Sequence, residues 1–278
     1  MSTLVPRRSI ARGFTPSFLA SLLAAAAVVF GPVINPATAQ DGPPRPLDVP
    51  FVPTPQAVVD TMLKVAGVSR RDFLIDLGSG DGRIPVTAAT RFGTRGFGVD
   101  LNPVRVKEAN ENIAKNKVGK LVTIVQGDLF ETDISKATVI SMYLLPTVNM
   151  KLRPYVLNLK PGTRIVSHDF DMGDWKADKI EKLDYKTVYF WVVPAKVAGK
   201  YQMQVGRETM ALELEQKFQD VTGKATVGGK SITINNGKLV GANLSFDMMM
   251  ADGKVRKFEG NAYDLGKLGG KGWSAQRI

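Results

Sequence analysis

The sequence FLIDLGSGDGRI, at residues 73–84, joins a short apolar run to three glycines at alternate positions. The run Phe73–Leu77 is typical of a buried strand, and Ile84–Arg91 continues with the pattern of a helix. Glycine tolerates positive φ angles and lets another group approach the backbone closely. Because open α/β sheets bind ligands where a strand turns into a helix, we expect a ligand to lie against this turn.

The same alternation of strand and helix patterns extends over residues 51–194. It predicts an α/β fold in which a parallel sheet carries helices on both faces. Further strands are expected at Gly96–Asp100, Val122–Gln126, Ala137–Met142 and Arg164–Asp169, and further helices at Gln56–Val65, Pro103–Asn116 and Leu145–Leu159.

The pattern changes after about residue 195, where apolar and polar residues alternate with a period of two. This period is typical of half-buried strands, so residues 195–278 are expected to form a small C-terminal all-β domain, a sandwich or a barrel. Asn236–Gly237 and Asp252–Gly253 predict two-residue hairpin turns within it. No catalytic constellation is visible in this domain.

The N-terminus has the features of an export signal. Residues 1–39 contain three arginines and no acids, then an apolar run, and end with a small-residue cleavage pattern, which predicts a secretory signal peptide. RRSIAR loosely resembles a twin-arginine signal. Residues 40–50 are expected to be a proline-rich linker. We therefore expect an exported protein, periplasmic or secreted, with no stable membrane span after cleavage; a retained N-terminal membrane helix is the alternative.

Composition excludes several classes of site. The chain has no cysteine and one histidine, His168, so thiol chemistry is excluded and no metal site is expected. The formal net charge is +11, and removal of the three arginines in residues 1–39 would leave +8. The basic residues are scattered and not interleaved with aromatic residues, which argues against a nucleic-acid partner. The oligomeric state is not encoded in any recognisable pattern.

LIDLGSGDGRI resembles the first motif of the class I S-adenosylmethionine-dependent methyltransferases. GFGVDLNP then ends in Asp100, which lies 24 residues after Asp76, about one βαβ step, and QGDLF supplies Asp128 after the third strand. In this family, such acids contact the ribose hydroxyls and the adenine amino group, respectively. The glycine spacing differs from the G-x-G-x-x-G of dinucleotide-binding enzymes. A Rossmann-like methyltransferase sheet with bound S-adenosylmethionine is therefore expected.

The resemblance implies a set of residues that contact the cofactor. Asp76 suits the ammonium group of the ligand, and the glycines let the backbone lie against its methionine part. Asp100 and Thr54 each have a simpler interpretation as helix N-caps, and Asp128 as a solvated loop acid. The cofactor-binding candidates are Thr54, Asp76, Gly78, Ser79, Gly80, Asp100 and Asp128.

A narrower resemblance is carried by FVPTPQAVVDTML, ahead of the first motif, and by DLGSGDGRI. Both are similar to the small protein-lysine methyltransferases whose mitochondrial members modify the ATP synthase c-subunit and the adenine nucleotide translocator. In that family the proline-threonine segment lies over the cofactor, which implies that Pro53–Pro55 lines the site. The resemblance implies N-methylation of a protein lysine, and a small-molecule amine acceptor remains open.

Two residues are candidates for the acceptor side of the reaction. The fourth strand ends in ISMYLLP and lacks the Asn/Asp-Pro-Pro-aromatic motif of many amino-group methyltransferases, so Tyr143 is expected to form a wall of the acceptor pocket. SHDFDMGDW supplies Asp169, which could steer a lysine, or could belong to an ordinary solvated loop. His168 is a less favoured candidate for a general base.

The predicted export conflicts with the expected cofactor, because S-adenosylmethionine is not expected to be abundant outside the cytoplasm. The alternative function is therefore a catalytically inactive, exported binding or scaffold protein on a methyltransferase fold. The three acids Asp76, Asp100 and Asp128 are all present, which favours an active enzyme.

Overall fold

The computed structural model of the chain describes residues 51–263 and 266–278. The predicted signal peptide and linker, residues 1–50, lie outside the described residues. Across the described ranges, no helix combines the length and the apolar character needed to cross a bilayer. The sheet and the barrel described below belong to one compact unit.

The first part of the unit is a seven-stranded sheet with the order β3-β2-β1-β4-β5-β7-β6. Its elements, in chain order, are α1 Gln56–Val65, β1 Phe73–Leu77, α2 Arg83–Phe92, β2 Arg95–Asp100, α3 Pro103–Lys115, β3 Val122–Gln126, β4 Val139–Met142, α4 Pro146–Val156, β5 Arg164–His168, β6 Lys179–Leu183 and β7 Lys186–Val192. The expected Rossmann-like methyltransferase sheet is confirmed.

The five predicted strands form a parallel sheet as expected, but the sheet has two further strands that were not predicted. β1 to β5 run parallel, but β7 pairs antiparallel with β5, and β6 pairs antiparallel with β7. Only Asp184 and Tyr185 separate β6 from β7. A connection of two residues makes a hairpin, whereas a parallel neighbour needs a crossover of a dozen residues or more.

The central strands are buried on both faces, which explains their continuous apolar sequences. On one face, α1 and α2 pack on β1, β4 and β5 through a cluster that includes Leu63 and Leu74. On the other face, α4 and two tryptophans, Trp175 and Trp191, cover the same strands. The strand order reverses between β1 and β4, so a crevice opens there at the carboxyl ends of the strands.

The second part is a closed antiparallel barrel, so the barrel was the right choice of the two expected all-β forms. Its interior is filled by apolar side chains, among them Phe246, Phe258 and Trp273. Its strands are β8 Gly199–Val205, β9 Glu208–Lys217, β10 Asp220–Val227, β11 Lys230–Val240, β12 Asn243–Met249, β13 Val255–Tyr263, β14 Lys267–Gly270 and β15 Trp273–Arg277. The boundary predicted between residues 194 and 195 falls between β7 and β8.

One of the two predicted hairpin turns was wrong. Asn236–Gly237 lies within β11, where the pairing with both neighbours shifts register, and Asn236 has a φ of 52°. A Cβ at Gly237 would collide with the carbonyl oxygen of Val221 on β10. The Asn-Gly pair therefore forms part of a β-bulge. Asp252–Gly253 does lie in the turn between β12 and β13, but this connection runs over residues 250–254 and is therefore longer than the two residues predicted.

Candidate functional site

The turn between β1 and α2 follows the backbone path that its glycines predict. Gly78, Gly80 and Gly82 have φ angles of 72°, 53° and 74°. A Cβ at Gly78 would lie 2.8 Å from Cδ2 of Leu144, and one at Gly80 would collide with the ring of Phe51. Side chains at these positions would therefore be strained and would fill the space above the turn.

An open cavity of about 650 Å³ lies against this turn, in the crevice between β1 and β4. Its walls come from the turn itself, from residues 51–54, from Asp100 to Arg105 and from Tyr143 with Leu144. The structure thus places an accessible site where the glycine turn predicts one.

Asp76 is the buried acid of the cavity. It is 2% exposed, and its Oδ1 accepts a hydrogen bond of 2.6 Å from Ser141 Oγ on β4. Burial raises the pKa of Asp76 to about 7; the Ser141 hydrogen bond opposes this rise, and the charges of Asp100 and Asp81 add to it. A cationic ligand in the cavity would favour the ionised carboxylate.

Asp100 lies at the end of β2 and also lines the cavity. Its Oδ2 accepts from the Gly80 amide at 2.8 Å, and its Oδ1 accepts from the Asn102 amide at 2.9 Å. The interpretation of Asp100 as a helix cap was wrong, because the N-cap of α3 is Asn102, which accepts from the Val104 amide. Each carboxylate oxygen keeps acceptor capacity for a ligand hydroxyl.

Asp128 lies beside the Asp100 end of the site, where the amide of its neighbour Gly127 donates to the Asp100 carbonyl oxygen at 3.0 Å. It follows β3, the outer strand of the sheet, and its Oδ1 accepts from the Phe130 amide at 2.8 Å. It is half-buried and does not belong to the lining of the cavity. A contact of Asp128 with an adenine amino group stays a prediction.

Ser79 gives an independent indication that a ligand belongs in the cavity. Its Oγ is buried and, within the described part of the chain, has no hydrogen-bond partner, although Ser79 lines the cavity. Buried hydroxyl groups are rarely left unpaired. The unpaired hydroxyl, the bare glycine backbone and the two acids fit the polar, cationic methionine and ribose parts of S-adenosylmethionine.

Residues 51–54 line one side of the cavity, whereas Pro55, which was also expected there, is not among the lining residues. Thr54 is buried, its Oγ1 lies 3.1 Å from Nδ1 of His168, and its carbonyl oxygen accepts from Nη1 of Arg83 at 2.9 Å. The interpretation of Thr54 as a helix cap was wrong, because the N-cap of α1 is Pro55 without a side-chain hydrogen bond. Thr54 instead ties this segment to β5 and to the glycine turn.

Sequence reasoning missed Phe51 and Arg105. The Phe51 ring packs over Gly80, and the Arg105 guanidinium lies 4.5 Å from the centroid of that ring. Both residues line the cavity. They come from the start of the described chain and from α3, and no motif relates them, so only the folded structure reveals this pair.

Tyr143 forms a wall of the cavity beside a group of polar residues. Its ring lies 3.9 Å from the ring of His168 and 6.1 Å from that of Phe170, measured between centroids. The ammonium of Lys186 lies 6.0 Å from the Tyr143 centroid and 2.8 Å from Oδ2 of Asp169. Lys186 was also missed, because its place beside Tyr143 depends on the antiparallel pairing of β7 with β5.

Asp169 is ionised in this arrangement. Burial acts to raise its pKa, but hydrogen bonds from Lys186 and from the Thr187 amide outweigh burial, so the pKa lies below its usual value. The same pair holds the pKa of Lys186 above its usual value. Asp169 thus carries a negative charge that Lys186 neutralises, and it is not among the residues that line the cavity.

His168 does not suit a general base at neutral pH. Its ring is fully buried, and burial lowers its pKa to about 4; Asp169 opposes this change and Lys186 adds to it. Nε2 lies 3.3 Å from Oδ2 of Asp169 but forms no hydrogen bond. The neutral ring is hydrogen-bonded to Thr54 and packs against the Tyr143 ring. Residues 51–263 and 266–278 contain no group of side chains arranged to hold a metal ion.

Comparisons with known proteins agree with this geometry. The model of a family described as "ANTKMT methyltransferase domain" matches residues 76–179. A protein-lysine N-methyltransferase of Saccharolobus islandicus is 47% identical over 151 residues, which cover 52% of this chain and 94% of that protein. The ATP synthase c-subunit lysine N-methyltransferase of Homo sapiens is 26% identical over 168 residues, covering 60% of this chain and 69% of that protein.

One solved structure is similar in both sequence and fold. It is described as an RNA methyltransferase from Salinibacter ruber in complex with S-adenosyl-L-homocysteine. It is 53% identical, has a TM-score of 0.52, and the match covers 52% of this chain and 96% of that chain. The matched family domain ends at residue 179, before the first strand of the barrel.

Proposed function

The chain belongs to the S-adenosylmethionine-dependent protein-lysine N-methyltransferase family, and on this premise we propose that it methylates the Nε atom of a lysine in a protein. The observation that carries the proposal is the cavity between β1 and β4. Its lining combines a bare glycine backbone, the carboxyl groups of Asp76 and Asp100, and the ring of Tyr143. The comparisons support the same substrate class.

When bound, S-adenosylmethionine supplies a methyl group on a positively charged sulfonium. Asp76 and Asp100 hold the cationic and hydroxyl groups of the cofactor, and Ser79 Oγ gains the partner that it lacks. Phe51 and Tyr143 exclude water from the cavity. Positioning of this kind supplies most of the rate in a direct displacement, which needs no covalent intermediate on the enzyme.

The acceptor must present a neutral amine, and the chain contributes to this through charge. Lys186 neutralises Asp169 beside the Tyr143 wall, so no uncompensated negative charge stabilises the ammonium form of the acceptor there. An unpaired carboxylate at this place would raise the pKa of the acceptor ammonium, because an opposite charge favours the protonated form. The Tyr143 ring then packs against the side chain of the acceptor, and water at the open mouth of the cavity takes the proton that the ammonium loses before the amine attacks the methyl group.

RNA is the second candidate acceptor, because the similar protein from Salinibacter ruber is described as an RNA methyltransferase. Incubation of the purified protein with methyl-labelled cofactor and a cell extract separates the candidates. Label that resists nuclease, is released by protease and appears as methyl-lysine after acid hydrolysis supports the proposal. Label released by nuclease contradicts it, and no label together with no binding of S-adenosylhomocysteine at high micromolar concentrations supports the inactive scaffold.

We also propose that the protein is exported, since residues 1–39 have the pattern of a signal peptide. Mass spectrometry of the protein isolated from the periplasm or the medium tests this proposal. An N-terminus at Gln40 is expected. Full-length protein that remains in the cytoplasm would contradict it and would remove the conflict with cofactor supply.

A further inference from the structure

The turn between β9 and β10, which consists of Phe218 and Gln219, leaves the barrel and packs on the methyltransferase sheet. The Phe218 ring stacks on Trp175 with centroids 6.0 Å apart and an angle of 20° between the planes. The guanidinium of Arg153, on α4, lies 5.4 Å from the Phe218 centroid. Gln219 is 2% exposed, and its Nε2 donates to the carbonyl oxygen of Lys176 at 2.8 Å.

Apart from the contact with Arg153, Phe218 and Gln219 make these contacts with residues 169–178, the segment that connects β5 to β6. The start of the same segment reaches the acceptor side of the cavity, because Phe170 stacks on Tyr143 with an angle of 19° between the planes. Asn149 on α4 donates to the carbonyl oxygens of Phe170 and Asp171. The segment is therefore held by the barrel at one end and contacts the wall of the cavity at the other.

The backbone of Phe218 adds a separate observation. Its φ is 54°, a left-handed conformation that bulky side chains rarely adopt. Such a conformation persists only where surrounding contacts compensate for its cost. Here the compensating contacts are those of Phe218 with Trp175 and Arg153, and the buried hydrogen bond of Gln219.

We propose that the β9–β10 turn of the barrel positions the acceptor wall for methyl transfer, with Phe218 and Gln219 as positioning residues. They hold residues 169–178 and, through Phe170, fix the ring of Tyr143. This proposal rests on the proposed function. The cofactor side of the cavity comes from the glycine turn and Asp100, which do not depend on this contact.

The test uses the full-length protein with Phe218→Ala, and with Phe218→Tyr as the conservative variant. Arg207→Ala, at the exposed β8–β9 turn, is the matched control. We expect Phe218→Ala to lower kcat/KM for the lysine acceptor about tenfold while the Kd for S-adenosylhomocysteine changes less than about twofold. Phe218→Tyr and Arg207→Ala should retain wild-type values.

Hydrogen exchange gives a readout that does not depend on the acceptor. Phe218→Ala should speed amide exchange in residues 169–178 and leave residues 76–84 unchanged. If Phe218→Ala does not yield folded protein, Gln219→Ala makes the same test by removing only one side-chain amide.

Unchanged exchange and unchanged kcat/KM in a folded variant would overturn the positioning role, as would an equal loss of cofactor binding. Faster exchange in a protein whose wild type labels no lysine would instead leave the contact in place and reject the proposed function.

Discussion

In an Asp76→Asn protein, the buried carboxyl group that faces Ser141 becomes an amide of nearly the same shape. Burial raises the pKa of Asp76 to about 7, from an ordinary value of 3.8. The folded protein therefore keeps a proton that the unfolded chain loses, and the free energy of unfolding falls as the pH rises from about 4 to about 7. A difference of about three pH units corresponds to about 4 kcal/mol.

Because an amide does not ionise, the Asp76→Asn protein does not lose this unfolding free energy above pH 7. Its amide oxygen still accepts the hydrogen bond from Ser141, but its NH₂ group, if left without an acceptor, costs about 1–3 kcal/mol. We therefore expect Asp76→Asn to be more stable than the wild type by about 1–3 kcal/mol at pH 8 and less stable at pH 4. It should also bind cofactor at least about tenfold more weakly, because a charge-assisted contact is lost.

Calorimetric unfolding at the two pH values, with titration of S-adenosylhomocysteine at pH 8, measures these effects. At pH 8 the expected gain corresponds to roughly 5 °C in Tm. Asp133→Asn is the matched control: Asp133 is exposed and hydrogen bonds from Ser135 hold its pKa below the usual value, so this change should not stabilise the protein at pH 8. A less stable Asp76→Asn protein at pH 8, or one with wild-type cofactor affinity, would refute the reasoning.

Three further changes probe the rest of the cavity. Asp100→Asn should raise the Kd for S-adenosylhomocysteine about 10- to 100-fold in a calorimetric titration, since a hydrogen bond to a charged group contributes about 1.5–3 kcal/mol. Tyr143→Ala should lower kcat/KM for the acceptor by about 10- to 100-fold, with Tyr143→Phe closer to the wild type; wild-type rates in both would remove Tyr143 from the acceptor wall. Lys186→Met should shift the acid limb of the kcat/KM profile to higher pH by less than about one unit, because Asp169, partly exposed and no longer neutralised, then favours a protonated acceptor.

The fold was largely predictable because its signals are local. A buried strand, a glycine turn and an amphipathic helix follow one another in residues 73–92, and each depends only on neighbouring residues. The β6–β7 hairpin was not predicted. β6 is largely exposed and three of its five residues are charged, so it shows no clear strand pattern, whereas the apolar and aromatic run of β7 does and was overlooked. The Asn236–Gly237 bulge was read as a turn because the same dipeptide serves both, and only the pairing of β11 with β10 and β12 decides between them.

Site residues at the carboxyl end of a strand could be predicted from the sequence. Site residues whose contacts depend on how the strands pair could not. Asp76 and Asp100 lie at carboxyl ends of neighbouring parallel strands, which must meet at one edge of the sheet. Ser141 could not be found in this way, because its hydrogen bond to Asp76 depends on the register of β4 against β1. The roles of Thr54 and Lys186 likewise follow from long-range contacts, with His168 and with Asp169.

The most direct test of the account is a crystal structure of the protein with S-adenosylhomocysteine and a lysine peptide. We predict that the ribose hydroxyls lie within hydrogen-bond distance of the Asp100 carboxylate, and that the sulfur atom and the peptide Nε lie on the same side of the cavity as the Tyr143 ring. A nucleoside bound elsewhere, or a peptide amine separated from Tyr143 by the glycine turn, would contradict it.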